Sequence, residues 1–78
     1  MTDNKLYYGT VIWFDSKKGF GFAEWENDGV KQKDIFCYFS DIVVEGFKTL
    51  YKDQKISFNL GVNNKGAPKA INIMILKN

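Results

Sequence analysis

Apolar and polar residues alternate along most of this chain in short runs, and turn residues separate the runs. Period-two alternation over about four to eight residues is typical of β-strands with one buried face. The pattern predicts five strands, over residues 6–14, 18–25, 34–39, 55–62 and about 68–75. No stretch shows the 3.6-residue apolar period of an amphipathic helix.

The connections between these runs favour a closed barrel. Residues 15–17 and 63–66 read as turns, and residues 26–33 as a polar hairpin loop. Residues 40–54 form one long, irregular connection after the third strand, and closure would remove exposed sheet edges. The expected fold is all-β, a five-stranded antiparallel OB-fold barrel that forms a single domain over residues 1–78.

The second run, K-G-F-G-F-A-E-W over residues 18–25, divides its residues unusually between its two faces. Alternation places Phe20 and Phe22 with a lysine and a glutamate, so both rings are expected to face solvent. The small residues on the other face would let a small sheet curl tightly. Aromatic residues in strands are more often core, but the run matches an RNA-binding signature except at Ala23 and Trp25.

The third run supplies a second pair of rings. Phe36 and Tyr38 share one face, whereas Ile35, Cys37 and Phe39 share the other and are expected to point inward. Cys37 is then interpreted as a small buried hydrophobe rather than a reactive thiol. If the second and third strands pair antiparallel, their outer rings form one platform.

Such a platform suits single-stranded nucleic acid, because every base has a π-face that can stack on an aromatic ring. Trp13 ends the first run nearby, and Phe47 stands in the long connection, an unusual place for a core residue. Three lysines are expected to flank the rings and meet phosphates: Lys18, Lys65 and Lys69.

Composition agrees with displayed rings and weak sequence preference. Two Trp, four Tyr and seven Phe are more aromatic residues than so small a core needs. All eleven basic residues are Lys, and nine acids leave a net charge of +2, which excludes a dense basic tail but not a local patch. Without the rigid fork of Arg, binding must depend on stacking and point charges.

Several functional classes are disfavoured. The chain has no His and one Cys, so it lacks the usual general base, the usual zinc ligand and any internal disulfide. It also lacks the glycine-rich phosphate-binding motifs. We therefore expect no enzyme, no cofactor and no metal. The first nine residues contain no apolar signal segment and no run is long enough to span a membrane, so a cytoplasmic location is expected.

Several ordered motifs together resemble the cold-shock domain family. They lie at residues 9–14 (G-T-V-I-W-F), 18–22 (K-G-F-G-F), 34–40 (D-I-F-C-Y-F-S), 46–50 (G-F-K-T-L) and 65–72. The similarity covers about residues 8–75. It implies a five-stranded OB barrel that binds single-stranded RNA or DNA, commonly as an RNA chaperone and cold-shock regulator.

The resemblance also implies a set of base-stacking positions and one basic position, Lys18. The stacking positions are Trp13, Phe20, Phe22, Phe36, Tyr38, Phe39 and Phe47. Phe39 is a point of conflict, because alternation directs it inward whereas the family uses it at the binding surface. A strand end or a bend at this residue would reconcile the two.

This chain departs from the family pattern at several positions. Ile12 stands where the family usually has Lys, which puts one phosphate contact in doubt, and Tyr38 replaces a His. Ala23 and Trp25 replace aliphatic residues, which suggests redistributed core volume. Ala67 separates a Gly–Pro pair, and the 26–33 loop is longer than usual.

Two functions remain open on the sequence. The first is binding of single-stranded RNA or DNA by a monomer, with pyrimidine-rich strands preferred and little sequence specificity. The second is a small protein-interaction barrel whose aromatic patch binds a partner protein. The lysines around the rings favour nucleic acid, because protein interfaces are depleted in Lys.

Overall fold

The computed structural model describes residues 5–76. The predicted single domain also includes residues 1–4 and 77–78, which lie outside the described residues. A short 3₁₀ helix, Phe39–Asp41, follows the fourth of six strands. The strands are β1 (Tyr7–Asp15), β2 (Phe20–Asn27), β3 (Val30–Lys31), β4 (Ile35–Tyr38), β5 (Lys55–Val62) and β6 (Pro68–Ile75).

Five of these strands close into a ring. β1 pairs antiparallel with both β2 and β5, β5 pairs with β6, and β2 pairs with β4. A parallel contact between Phe36 of β4 and Lys69 of β6 completes the closure. The predicted five-stranded OB-fold barrel is confirmed, with this one parallel pairing in it. The two-residue β3 pairs only with the end of β2 and forms the hairpin expected over residues 26–33.

The interior holds its own cluster of aromatic rings. The centroid of the Tyr7 ring lies 5.2 Å from that of Trp25 and 6.0 Å from that of Phe58, and Trp25 and Phe58 are 5.6 Å apart. The indole Nε1 of Trp25 donates a hydrogen bond of 2.8 Å to the carbonyl of Lys33. Trp25 is therefore an inward residue, as alternation predicted, and its polar atom is satisfied. Ala23, fully buried on the same face, leaves room for the indole.

Gly21 allows the paired strands β1 and β2 to approach each other closely. A Cβ at this position would lie 2.1 Å from the carbonyl oxygen of Trp13 and 2.6 Å from the Cα of Phe14. Both atoms belong to backbone, so no side-chain movement could relieve the clash. The expectation that glycine on the inner face permits tight curvature is met here. No helix within residues 5–76 is long and apolar enough to cross a membrane.

Candidate functional site

A β-bulge in β1 brings Trp13 to the outer surface. Val11 pairs with Ala23 and Trp13 with Phe22, so two steps along β1 correspond to one step along β2. Simple alternation would place Trp13 on the same inner face as Val11. Because Ile12 has no partner on β2, Trp13 instead shares the face of Phe22 and is 42% exposed.

The register of β2 with β4 aligns the outward rings of both strands. Phe20 pairs with Tyr38 and Phe22 with Phe36, and the residues between them, Gly21 and Cys37 among them, are buried. Opposed residues in an antiparallel pair point to the same face. The four rings therefore lie side by side on the outer surface of the barrel, as the sequence predicted.

These rings and their neighbours form one continuous surface, which we call the aromatic platform: Trp13, Phe20, Phe22, Phe36, Tyr38 and Phe39. Each ring has a neighbour whose centroid lies between 4.8 and 6.1 Å away. Phe36 is central, at 5.7 Å from both Phe20 and Phe22 and 6.1 Å from Tyr38. The rings thus support one another while keeping part of their surface exposed.

Phe39 lies on this platform and not in the interior, so its inward placement from alternation is wrong. β4 ends at Tyr38 and the 3₁₀ helix begins at Phe39, which breaks the two-residue period. The Phe39 ring is exposed and lies 4.8 Å from that of Tyr38. Gly19, at φ +81°, lies against it, because a Cβ there would come within 2.7 Å of the Phe39 ring.

Phe47 is 73% exposed and stands apart from the platform, with no ring neighbour among the described residues. It lines, together with Phe39, a cleft at one end of the platform. The cleft is lined by Ser16, Lys17, Lys18, Gly19, Phe39, Gly46, Phe47 and Lys48. This cleft combines two rings with three exposed lysines, two of which, Lys17 and Lys48, the sequence analysis did not select.

The turn that carries Lys17 and Lys18 is held by Asp15. Its carboxylate accepts hydrogen bonds from the backbone N–H of Lys17 at 2.9 Å and of Lys18 at 3.1 Å. The bond from Lys18, followed by that from Lys17, holds the pKa of the Asp15 carboxyl below its usual 3.8 despite some opposing desolvation. The two lysines thus start from a fixed turn, and their side chains remain exposed.

A second cleft adjoins Phe36 and Tyr38 on the side of the platform that faces the β5–β6 turn. It is lined by Phe36, Tyr38, Val62, Asn63, Asn64, Lys65 and Lys69. The two lysines predicted for this region behave differently. Lys65 is exposed on the turn, whereas Lys69 is half-buried and its Nζ lies 3.1 Å from Oδ2 of Asp41.

The described residues contain three ion pairs: Lys5–Asp28, Lys31–Glu24 and Lys69–Asp41. The lysines of the first cleft and Lys65 of the second therefore form no ion pair within residues 5–76. Their charges are available to an anion, whereas that of Lys69 is already paired. The sequence could not reveal this pair, because Asp41 is 28 residues away and lies in the irregular connection.

Potential metal ligands and the single thiol are the described groups that bear on metal binding and nucleophilic chemistry. Within residues 5–76, no three His, Cys, Asp or Glu side chains come close enough to hold a metal ion. Cys37 is buried beneath the platform strands, and burial, assisted by the nearby charge of Asp41, raises the pKa of its thiol to about 12. A thiol so far from ionisation is a weak nucleophile.

Comparison with known proteins places this arrangement in context. The profile of the 'Cold-shock' DNA-binding domain matches residues 7–76. A "Cold shock-like protein" of Aquifex aeolicus is 44% identical over 70 residues, which cover 90% of this chain and 94% of that protein. The "Major cold shock protein" of Streptococcus pyogenes serotype M1 is 46% identical over 65 residues, or 83% and 90% of the two chains. A "Cold shock-like protein CspA" of Vibrio cholerae is 44% identical over 68 residues, 87% of this chain and 91% of the relative.

Proposed function

The chain belongs to the family of the 'Cold-shock' DNA-binding domain, and from this premise we propose that it binds single-stranded RNA or DNA by stacking bases on the aromatic platform. Membership makes it a protein of a nucleic-acid-binding family. The proposal adds the mode of binding, the residues involved and the kind of strand.

The continuous, half-exposed platform is the observation that carries the proposal. The core already has its own ring cluster in Tyr7, Trp25 and Phe58, so the six platform rings are not needed to fill it. Exposed apolar surface of this extent is costly unless a ligand covers it. Single-strand binding proteins combine such rings with a positively charged groove, at about 1–3 kcal/mol per stacked base.

Lysines on two sides of the platform supply the charge for the backbone of the strand. Lys18, with Lys17 and Lys48, lies at the end near Phe39 and Phe47, and Lys65 lies beside Phe36 and Tyr38. A strand laid on the platform would meet both lysine groups. Point charges on flexible stems do not read base edges in the way that Arg does, so low sequence specificity follows.

The finer parts of the proposal follow from the same surface. Pyrimidine-rich strands should bind best, because pyrimidines give up little self-stacking when they transfer to protein rings. A monomer is sufficient, because one barrel carries the whole platform. Loose binding that competes with base pairing is the activity expected of a cytoplasmic RNA chaperone.

Titration with oligo-dT and oligo-U, followed by tryptophan fluorescence, tests the proposal. Both strands should quench the emission, and the quench should come from the platform residue Trp13 and not from the interior Trp25. A Trp25→Phe variant should keep the quench and a Trp13→Phe variant should lose most of it. If neither strand binds, the platform is better explained as a docking surface for a partner protein.

A further inference from the structure

The ion pair between Lys69 and Asp41 is the most shielded of the three in the described chain. The two side chains are 25% and 19% exposed, whereas those of Lys5–Asp28 and Lys31–Glu24 are all about half exposed or more. Solvent and salt screen a partly buried pair less than an exposed one. Lys69 is therefore held by its partner more firmly than an ordinary surface lysine.

Both members of the pair are attached to the platform. Lys69 is the backbone partner of Phe36 in the β4–β6 contact, and it lines the second cleft beside Phe36 and Tyr38. Asp41 ends the 3₁₀ helix that begins at Phe39. The carboxylate therefore lies three residues along the chain from Tyr38 and two from Phe39, beside the platform.

The Lys69–Asp41 ion pair lowers the positive charge that a strand would meet at the second cleft. Four lysines around the two clefts, Lys17, Lys18, Lys48 and Lys65, form no ion pair among residues 5–76, although the charges of Lys17 and Lys18 act on the nearby Asp15 carboxylate, and Lys69 alone forms one. A phosphate that approaches Lys69 has to displace the Asp41 carboxylate or is repelled by it. The pair thus removes one cation from a surface on which cations attract the ligand.

We propose that Asp41 is a built-in competitor for Lys69 that weakens phosphate binding beside Phe36 and Tyr38. The inference rests on the proposed function, since it concerns the affinity of that same surface for a single strand. Asp41 contacts no base in this account. It acts by occupying the ammonium group that a backbone phosphate would otherwise bind.

The salt dependence of binding gives a readout that a purely structural role would not change. Each lysine–phosphate contact on a single strand adds about 0.7 to the slope of log affinity against log salt. Asp41→Asn should free Lys69, steepen the slope by about 0.7 and tighten oligo-dT binding. The gain should be roughly 2.5-fold larger near 50 mM salt than near 200 mM salt.

Two further variants isolate the cause. Asp41→Asn combined with Lys69→Met should return to the wild-type slope, because no lysine is then released. Glu45→Gln removes the same charge from an exposed acid that has no ion-pair partner among the described residues, so its slope should match that of the wild type. An unchanged slope in Asp41→Asn, or a gain that persists without Lys69, would overturn the inference.

The wild-type protein provides a second measurement that does not depend on any variant folding. In nitrogen-15 spectra of the lysine side chains, the Lys69 ammonium signal should stay in place when oligo-dT saturates the wild type, because Asp41 occupies it, whereas that of Lys65 should move. A Lys69 signal that moves as far as that of Lys65 would contradict the inference and leave the proposed function intact. Failure of the wild type to bind oligo-dT at all would remove both.

Discussion

Ile12 is the residue at which β1 changes the face that it presents. It has no partner on β2, it is half-buried, and it is not among the residues packed against the core cluster. Its neighbour Trp13 is on the platform. A side chain at position 12 is therefore next to the surface on which a strand would lie.

Replacement of Ile12 by Lys should strengthen binding. The added ammonium beside Trp13 would neutralise one phosphate, which steepens the salt slope by about 0.7. The free energy of unfolding should change little, because Ile12 lies outside the core cluster. Affinity at three salt concentrations and a thermal melt measure both effects, with Val30→Lys at the exposed hairpin tip as a control of equal charge. A stable Ile12→Lys protein with an unaltered slope would show that this position does not face phosphates.

Cys37 provides a test of burial beneath the platform. Its thiol pKa is raised to about 12 from the ordinary 9.0, first by desolvation and then by the charge of Asp41. Because the folded state holds the proton more tightly, Cys37 contributes stability below about pH 9 that is lost as the pH rises toward 12.

Alkylation of Cys37 by iodoacetamide should therefore be slow in the folded protein and should follow the rate of opening. The free energy of unfolding of the wild type, relative to Cys37→Ala, should decline as the pH rises from 9 toward 12. Chemical denaturation across this range measures the difference, and the variant removes the contribution of other titrating groups. Rapid alkylation below pH 9 in the folded state would mean that the thiol is accessible.

The face of most residues could be predicted from alternation alone. Phe20, Phe22 and Phe36 are on the outer face and Trp25 on the inner one, because β2 and β4 keep a regular period through these positions. Phe39 could not be placed in this way, since the period ends where the 3₁₀ helix begins. The resemblance to a known family predicted an outward Phe39, and its ring is exposed.

At the scale of elements, the close approach of the paired strands β1 and β2 positions the platform. The strands approach so closely that the backbone at Trp13 and Phe14 occupies the space where a Cβ of residue 21 would lie. This approach, together with the bulge at Ile12, places Trp13 within 5.7 Å of Phe22 and 5.9 Å of Phe20. The platform therefore depends on the absence of a Cβ at Gly21.

Gly21→Ala should be strongly destabilising. Overpacking typically costs about 1–3 kcal/mol and more when nothing can move, and here the obstruction is backbone. A domain of this size has only about 3–5 kcal/mol to lose, so much of the variant should be unfolded. Circular dichroism with urea measures the loss. Gly29→Ala adds a Cβ in open space at φ +81° and should lose only the roughly 1–2 kcal/mol of backbone strain. Equal losses in the two variants would contradict the role of space at Gly21.

Element boundaries show which parts of the fold a local pattern can reveal. The bounds of β5 agree with the predicted run at residues 55–62, because turn residues stand at both ends. The parallel contact of Phe36 with Lys69 joins distant segments, and the pair of Lys69 with Asp41 depends on it being formed. Neither leaves a periodic signal in the sequence, so both required the structure.

For the whole molecule, the central feature is the separation of two aromatic clusters by the barrel wall. Tyr7, Trp25 and Phe58 pack inside, and the six platform rings lie outside on β1, β2 and β4 and at the start of the 3₁₀ helix. The small net charge of +2 is compatible with the proposed binding, because lysines without an ion pair lie on two sides of the platform. The rings that fill the core and the rings of the proposed binding surface are thus distinct sets.

The most direct test of this separation is to measure affinity and stability together in Phe22→Ala, with Phe58→Leu as the core control. Phe22→Ala should weaken oligo-dT binding by about 1–3 kcal/mol, the value of one stacked base. It should lose far less stability than the roughly 3–5 kcal/mol of a buried Phe→Ala change. Phe58→Leu should lose stability while its folded fraction binds as tightly as the wild type. A Phe22→Ala protein that is severely destabilised, yet binds oligo-dT with unchanged affinity when folded, would contradict the account.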